Sequence, residues 1–310
     1  MILSLAGNGY ICIHQIRSDM KTPFFLFVLF ACFMSKAIAI NPYSPDFSKP
    51  KPPARMKLVF SEEFNYTGTP DSAVWSYETG FKRNQELQWY QSDNAYCKNG
   101  CLVIEGRKEN RPNPNYRVES SDWRASRKDI QYTSASIQTA GKKSWLFGRF
   151  EIRARIDTAT GSWPAIWTLG SGREWPSCGE IDLMEFYRPE GIPTILSNVA
   201  WGTNVRYRAK WNSARKAIAP FIAKDKNWPR KFHVWRMDWT KEYIKLYIDD
   251  ILLNTTSLSE TINPDGSNPF LKPQYLLLNL ALGSNGGDPS NSTSPIKYEV
   301  DYVRIYQQIQ

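Results

Sequence analysis

Within the apolar run Gly179-Glu180-Ile181-Asp182-Leu183-Met184-Glu185-Phe186, three carboxylates fall inside six residues. An ionised carboxylate on a buried strand must be hydrogen-bonded, paired or protonated, so such groups are seldom placed there without a use. In a regular strand Glu180 and Asp182 share one face and Glu185 points to the other. A β-bulge at Leu183-Met184 would insert one extra residue and return Glu185 to the face of its partners. The Cα atoms of Glu180 and Glu185 would then lie about 13 Å apart, and inward-leaning side chains would bring the two carboxyls to roughly 5 Å. At that separation one carboxylate can attack an anomeric carbon while the other protonates the leaving oxygen. The alternative, three solvated positions on a half-exposed strand, leaves the common register unexplained.

Other chemistries lack their residues. The chain has two histidines, of which His14 lies near the start and His233 sits in the strand-like Phe232-His233-Val234-Trp235, which argues against Ser-His-Asp hydrolysis and His-ligated zinc. The acids must carry the reaction without a required cofactor. Net charge is +9, and removing residues 1–39 with Arg17, Lys21, Lys36 and Asp19 leaves +7. The basic residues are spread over strands and loops with no basic helix, which argues against nucleic acid as a partner.

The elements that must position the acids read as strands. Phe150, Ile152, Ala154 and Ile156 alternate with Glu151, Arg153 and Arg155, and Ile244, Leu246 and Ile248 alternate with Tyr243, Lys245 and Tyr247. Helical periodicity is weak, its best stretch running from Trp211 to Ala223. Many short strands between Gly, Pro, Asn and Asp turns predict an all-β sandwich or jelly roll of two antiparallel sheets. Twelve Trp, 16 Tyr and 15 Phe are a heavy aromatic load, most of it expected to pack the core, while rings exposed in a groove would suit sugar faces.

Residues 1–39 read as a secretory signal region: Met20-Lys21, an apolar run from Phe24 to Met34, then Ala37-Ile38-Ala39, with Met20 a candidate true start. That run is too short to span a bilayer. The protein is therefore expected to be secreted or periplasmic, and a rival reading anchors it to a lipid through Cys32. Residues 40–57 form a Pro- and Lys-rich lead-in, and 58–310 a single domain, expected to be monomeric. Past the signal region remain Cys97, Cys101 and Cys178. Cys97 and Cys101 flank a turn-like Lys98-Asn99-Gly100, so a cross-hairpin disulfide and a pair of buried free thiols are both open.

The acid run resembles the E-I-D-x-x-E signature of glycoside hydrolase family 16, in the bulged form of laminarinase-like endo-β-glucanases. The resemblance extends from about residue 56 to the end. It includes Phe60-Ser61-Glu62-Glu63-Phe64, Glu86-Leu87-Gln88-Trp89-Tyr90, Tyr132-Thr133-Ser134-Ala135, Phe147-Gly148-Arg149-Phe150-Glu151, Trp163-Pro164-Ala165-Ile166-Trp167 and Val300-Asp301-Tyr302-Val303-Arg304-Ile305-Tyr306. It implies a jelly roll with a concave substrate groove, with Glu180 as nucleophile, Glu185 as acid/base and Asp182 assisting between them. It also implies a polysaccharide substrate: a β-1,3- or mixed-linkage β-1,3-1,4-glucan, or alternatively an agar-, porphyran- or keratan-like galactan. A non-catalytic glycan-binding jelly roll is the third reading, although such proteins are expected to lose the acid pair. Trp163, Trp167 and Trp175 are the nearest aromatics, Trp145 and Trp201 are candidates from other strands, and Asn84, Glu86 and Arg149 match groove-lining positions. The resemblance admits a structural calcium, with Asp301 as its side-chain ligand. One departure stands out: members often carry His in a Val-His-Trp setting, where this chain has Val199-Ala200-Trp201.

Overall fold

The computed structural model describes residues 40–309. The signal region, the alternative start at Met20 and the lipid-anchor candidate Cys32 lie outside the described residues. Among the described residues no helix is long and apolar enough to cross a membrane.

Two sheets face each other across one core, as expected for the jelly roll. The outer, ten-stranded sheet runs in the order Ile251–Ser257, Tyr243–Ile248, His233–Trp239, Gly148–Ile156, Ile296–Gln308, Cys101–Pro112, Asp129–Ser134 and Gln88–Tyr90, with Met56–Glu62 and Ala95–Lys98 paired beside that path. The inner, seven-stranded sheet runs Ala209–Ala217, Thr194–Gly202, Glu180–Tyr187, Ser162–Gly170, Gln274–Leu282, Ser136–Gln138 and Ser76–Tyr77. Pairing is antiparallel except between Gln88–Tyr90 and Asp129–Ser134. The predicted alternations hold: Phe150, Ile152, Ala154 and Ile156, and likewise Ile244, Leu246 and Ile248, point into the core, where they meet Ile181, Phe186, Leu276 and Leu278 of the inner sheet.

The stretch read as helical from Trp211 to Ala223 is instead a strand, Ala209–Ala217, followed by the short helix Ala219–Lys224. Nine consecutive ladder pairs with Thr194–Gly202 decide this, a tertiary pairing that weak local periodicity does not reveal. Lys210, Arg215 and Lys216 give this sheet edge the charges that discourage pairing with another chain.

The lead-in is docked rather than free. Arg153 donates to the carbonyls of Asn41 (2.8 Å) and Ser44 (2.9 Å), and Phe232 N–H donates to the Pro42 carbonyl at 2.7 Å. Asp301 is part of this clamp, which corrects its expected use as a calcium ligand. Its carboxylate is paired with the Arg153 guanidinium at 2.5 Å and accepts the Asp46 N–H at 3.0 and 3.1 Å, so its oxygens are already committed. The Asp301 and Arg153 side chains are only 2% and 3% exposed. Asp301→Ala is therefore expected to leave a buried, uncompensated guanidinium and to cost about 3–5 kcal/mol, measured by urea unfolding. A change under about 1 kcal/mol would show that the pair is not structural.

Cys97, Cys101 and Cys178 are buried free thiols. Cys97 faces the main core, whereas Cys101 joins Val103 and Phe232 on the other face of the hairpin, so the cross-hairpin disulfide is ruled out by strand alternation. Burial raises the pKa of both, to about 11 for Cys97 and about 12 for Cys101. His233 is packed, stacked on Trp228 and bonded to Asp249 and the Trp228 carbonyl.

Candidate active site

The acid strand Glu180–Tyr187 contains the bulge its spacing requires. Asp182 pairs with Trp167 on one side and Asn198 on the other, while Glu185 pairs with Ala165 and Leu196. Three steps along the acid strand thus match two on each neighbour. The consequence is a clean division of side chains. Ile181, Leu183, Met184 and Phe186 enter the core, and Glu180, Asp182 and Glu185 emerge together on the opposite, groove face.

Indole donors hold the outer two acids. Trp175 Nε1 donates to Glu180 Oε2 at 2.9 Å, and Trp163 Nε1 donates to Glu185 Oε1 at 3.0 Å. Between them Asn198 Nδ2 donates to both Asp182 Oδ2 (3.1 Å) and Glu185 Oε2 (3.0 Å). Asp182 also shares a hydrogen bond with Glu180. Burial pushes Glu180 and Glu185 each up to about 7. Asp182 is driven well above the usual carboxyl range by burial and then by the charges of its two neighbours. Near neutral pH the trio therefore retains at least one proton.

The surroundings of the two glutamates differ in sign. After burial, Glu180 is influenced by the Trp175 bond and the Arg83 guanidinium, both of which favour its ionised form. Glu185 has a matching indole donor in Trp163, but the charges near it are the negative ones of Glu180 and Glu86, which favour its protonated form. Such an environment suits one charged and one neutral carboxyl at a single pH.

Most of the expected groove residues assemble here. Trp163 and Trp175 touch the acids directly. Trp167 stands beside Asp182 in the ladder, its Nε1 donating at 2.7 Å to Asn279 Oδ1, while Asn279 Nδ2 donates to Tyr90 Oη at 3.0 Å. Glu86 is buried, accepts from Gln88 Nε2 (2.7 Å) and Asn84 Nδ2 (3.2 Å), and is close enough to act electrostatically on Glu185. Asn84 lies in the same turn, with φ of 55°.

Three expected groove positions are corrected. Arg149 belongs to the outer sheet, where alternation with the core residues Phe150 and Ile152 turns it outward into a bidentate pair with Asp238 at 2.6 and 2.9 Å. It is on the wrong sheet to line the groove. Trp201 follows the groove-facing Ala200 and so points the other way, into the main core with Val199, and Trp145 is a core residue too. Two residues went unassigned from sequence: Asn198, which bridges Asp182 and Glu185, and Arg83, which lies 5.1 Å from the Trp167 ring centroid. Pairing the strands on either side of residues 188–193 would have placed Asn198 opposite Asp182. No such signal marks Arg83.

The fold and the acid-lined groove define a sugar-cleaving β-sandwich, and comparison with known proteins gives the family. The model for "Glycosyl hydrolases family 16" matches residues 81–304, and the chain belongs to that family as a glycoside hydrolase. It is 34% identical to a β-glucanase of Rhodothermus marinus, over 94% of this chain and 95% of that protein. A structure from work on endo-acting O-glycanases, which prominent members of the human gut microbiota express to initiate mucin breakdown, is 34% identical. It covers 84% of this chain and 94% of that one, with a TM-score of 0.74. SCLam, a non-specific endo-β-1,3(4)-glucanase, is 33% identical over 86% of this chain and 97% of that one, with a TM-score of 0.67.

Proposed function

We propose that the protein is a secreted, monomeric endo-glycosidase that hydrolyses β-1,3- or mixed-linkage β-1,3-1,4-glucan by double displacement with retention of configuration. The observation that carries the mechanism is the common face of Glu180, Asp182 and Glu185 across the bulge, with a cation near the first acid and an anion near the last. Glu180 attacks the anomeric carbon as Glu185 gives its proton to the leaving oxygen. Glu185 then takes a proton from the water that releases the glycosyl-enzyme. Asp182 keeps a proton between them and so prevents three adjacent negative charges. Trp163, Trp167, Trp175, Asn84 and Glu86 hold the sugar chain, the indoles by covering C–H faces. The glucan assignment draws support from the Rhodothermus marinus β-glucanase and from SCLam.

A second reading, hydrolysis within galactan- or mucin-type chains, draws on the O-glycanase structure and on Ala200. Ala200 pairs with Glu180 and is fully buried, and its methyl group supplies no hydrogen bond where laminarinase-like members often have His. Incubation with a panel of β-1,3-glucan, mixed-linkage glucan, agar, porphyran and keratan, read by product chromatography and by NMR of the newly formed anomer, separates the readings. Soluble β-anomeric oligosaccharides are expected from the glucans. Release from the galactans alone would sink the glucan assignment, and an initial α-anomer would exclude double displacement.

A further inference from the structure

Arg83 sits outside the acid strand in a turn whose next two residues, Asn84 and Gln85, have φ of 55° and 52°. Its guanidinium is fixed on two sides. Nη2 is paired with Glu78, whose carboxylate also accepts the Ser136 hydroxyl at 2.7 Å, and the planar group lies over the Trp167 ring at 5.1 Å. Trp167 is itself locked through Asn279 to Tyr90. The third feature is an absence of balance: Arg83 Nη1 is shielded from solvent yet has no acceptor among the described residues. A buried N–H donor without a partner is costly, and native structures rarely keep one without a use.

We infer that Arg83 is a substrate-contacting positioning residue, its Nη1 donating to a hydroxyl or carbonyl oxygen of the sugar seated against Trp167. This rests on the reading of the strand acids as the catalytic centre. The geometry supports it in three ways. Glu78 prevents the guanidinium from swinging into solvent, Trp167 sets its plane, and Trp167 pairs in the ladder with Asp182, bringing the guanidinium within electrostatic reach of Glu180. A guanidinium pre-positioned in this way loses little freedom when a ligand oxygen arrives. The same charge acts on Glu180, and once a bound sugar has displaced water its influence on that carboxylate grows.

The titratable and charged groups that act on Glu180 are Asp182 and Glu185 on its own strand, Arg83 from the turn before Asn84, Cys178 from the preceding loop and Tyr275 from Gln274–Leu282, while Glu78 and Glu86 act on Arg83 and Glu86 also acts on Glu185. From the edge strand, Arg215 acts on Tyr187 further along the groove. Arg83 is the cation acting on Glu180 itself. Its removal should therefore shift the acid limb of the kcat/KM profile toward higher pH, because that limb reports ionisation of the attacking carboxylate.

The test compares Arg83→Met and Arg83→Lys with the wild-type chain on the polysaccharide it turns over best. Arg83→Met is expected to lose about 10- to 100-fold in kcat/KM and to move the acid limb up by about one pH unit. Arg83→Lys keeps the charge, so its limb should stay near the wild-type position. It loses the planar fork, so its affinity for the oligosaccharide product, measured by titration calorimetry, should fall about 10-fold. A lowered melting temperature with the limb and product affinity unchanged would mean a purely structural role and overturn the inference. If Arg83→Met fails to fold, Arg83→Lys alone decides, and native product affinity in that variant overturns it. Wild-type turnover combined with an indifferent Arg83 leaves the catalytic reading intact. A wild-type chain inactive on every glycan removes both.

Discussion

Glu180→Ala is expected to lose turnover on the order of 10⁴-fold or more on every glycan the protein cleaves. In the proposed mechanism Glu180 forms the only covalent bond to the sugar, and neither Asp182 nor Glu185 can replace it. Asp182 is one ladder step short of the bulge and is held by Asn198, and Glu185 must keep its proton for the leaving oxygen. The vacated volume beneath the anomeric carbon admits a small anion. With azide and a substrate bearing a good leaving group, the variant should yield a glycosyl azide of inverted configuration, detected by NMR. The loss should not come from unfolding. Burial holds the Glu180 carboxyl at about 7, above its ordinary value of 4.5, so the folded chain binds that proton more tightly than the unfolded chain. A raised carboxyl of this kind disfavours the folded state increasingly as pH rises from 4.5 through 7. At pH 8 the variant should therefore melt at or above the wild-type temperature. Activity within tenfold of wild type would remove Glu180 from the nucleophile role.

How much of this was legible in the sequence depends on how local each determinant is. The shared face of Glu180, Asp182 and Glu185 could be read because strand period and a one-residue bulge are properties of the chain itself. The core strands Gly148–Ile156 and Tyr243–Ile248 showed their alternation for the same reason. Sheet membership was not local. Arg149 carries a family-like motif, but the sequence does not say that Gly148–Ile156 belongs to the outer sheet, and its pairing with His233–Trp239 depends on residues far along the chain. Trp201 shows a subtler limit. One residue of register separates the groove from the core, and Ala200, not Trp201, took the groove side opposite Glu180. Arg83 was hidden because it sits in a turn without periodicity, and Trp167, whose ring it lies over, comes from a strand far along the chain. Asp301 was misread because the resemblance suggested a calcium ligand, whereas the buried guanidinium of Arg153, 148 residues earlier in the chain but on the neighbouring strand of the sheet, claims it first.

Glu185→Ala separates the two chemical steps more finely than the nucleophile variant does. On polysaccharide the departing group is a sugar alkoxide, a poor leaving group without a proton, so the variant should lose on the order of 10³-fold or more in kcat/KM. On an aryl glycoside the departing phenolate needs little help. Formation of the glycosyl-enzyme on Glu180 should therefore remain within roughly tenfold of wild type, while its hydrolysis slows because no base activates the water. The intermediate should accumulate, visible as a burst of phenol equal to the enzyme concentration and as a mass increase on the peptide bearing Glu180. Azide, which needs no general base, should then restore turnover and give a product of retained configuration, the opposite of the Glu180→Ala product. The local environment argues for this order of roles. Each glutamate is buried and accepts one indole hydrogen bond, so the difference lies in the nearby charges: Glu185 faces those of Glu180 and Glu86, which favour the protonated acid, while Glu180 has Arg83 to favour its anion. Inverted product from Glu185→Ala with retained product from Glu180→Ala would exchange the two roles, and equal losses on both substrate types would deny Glu185 any part in protonating the leaving group.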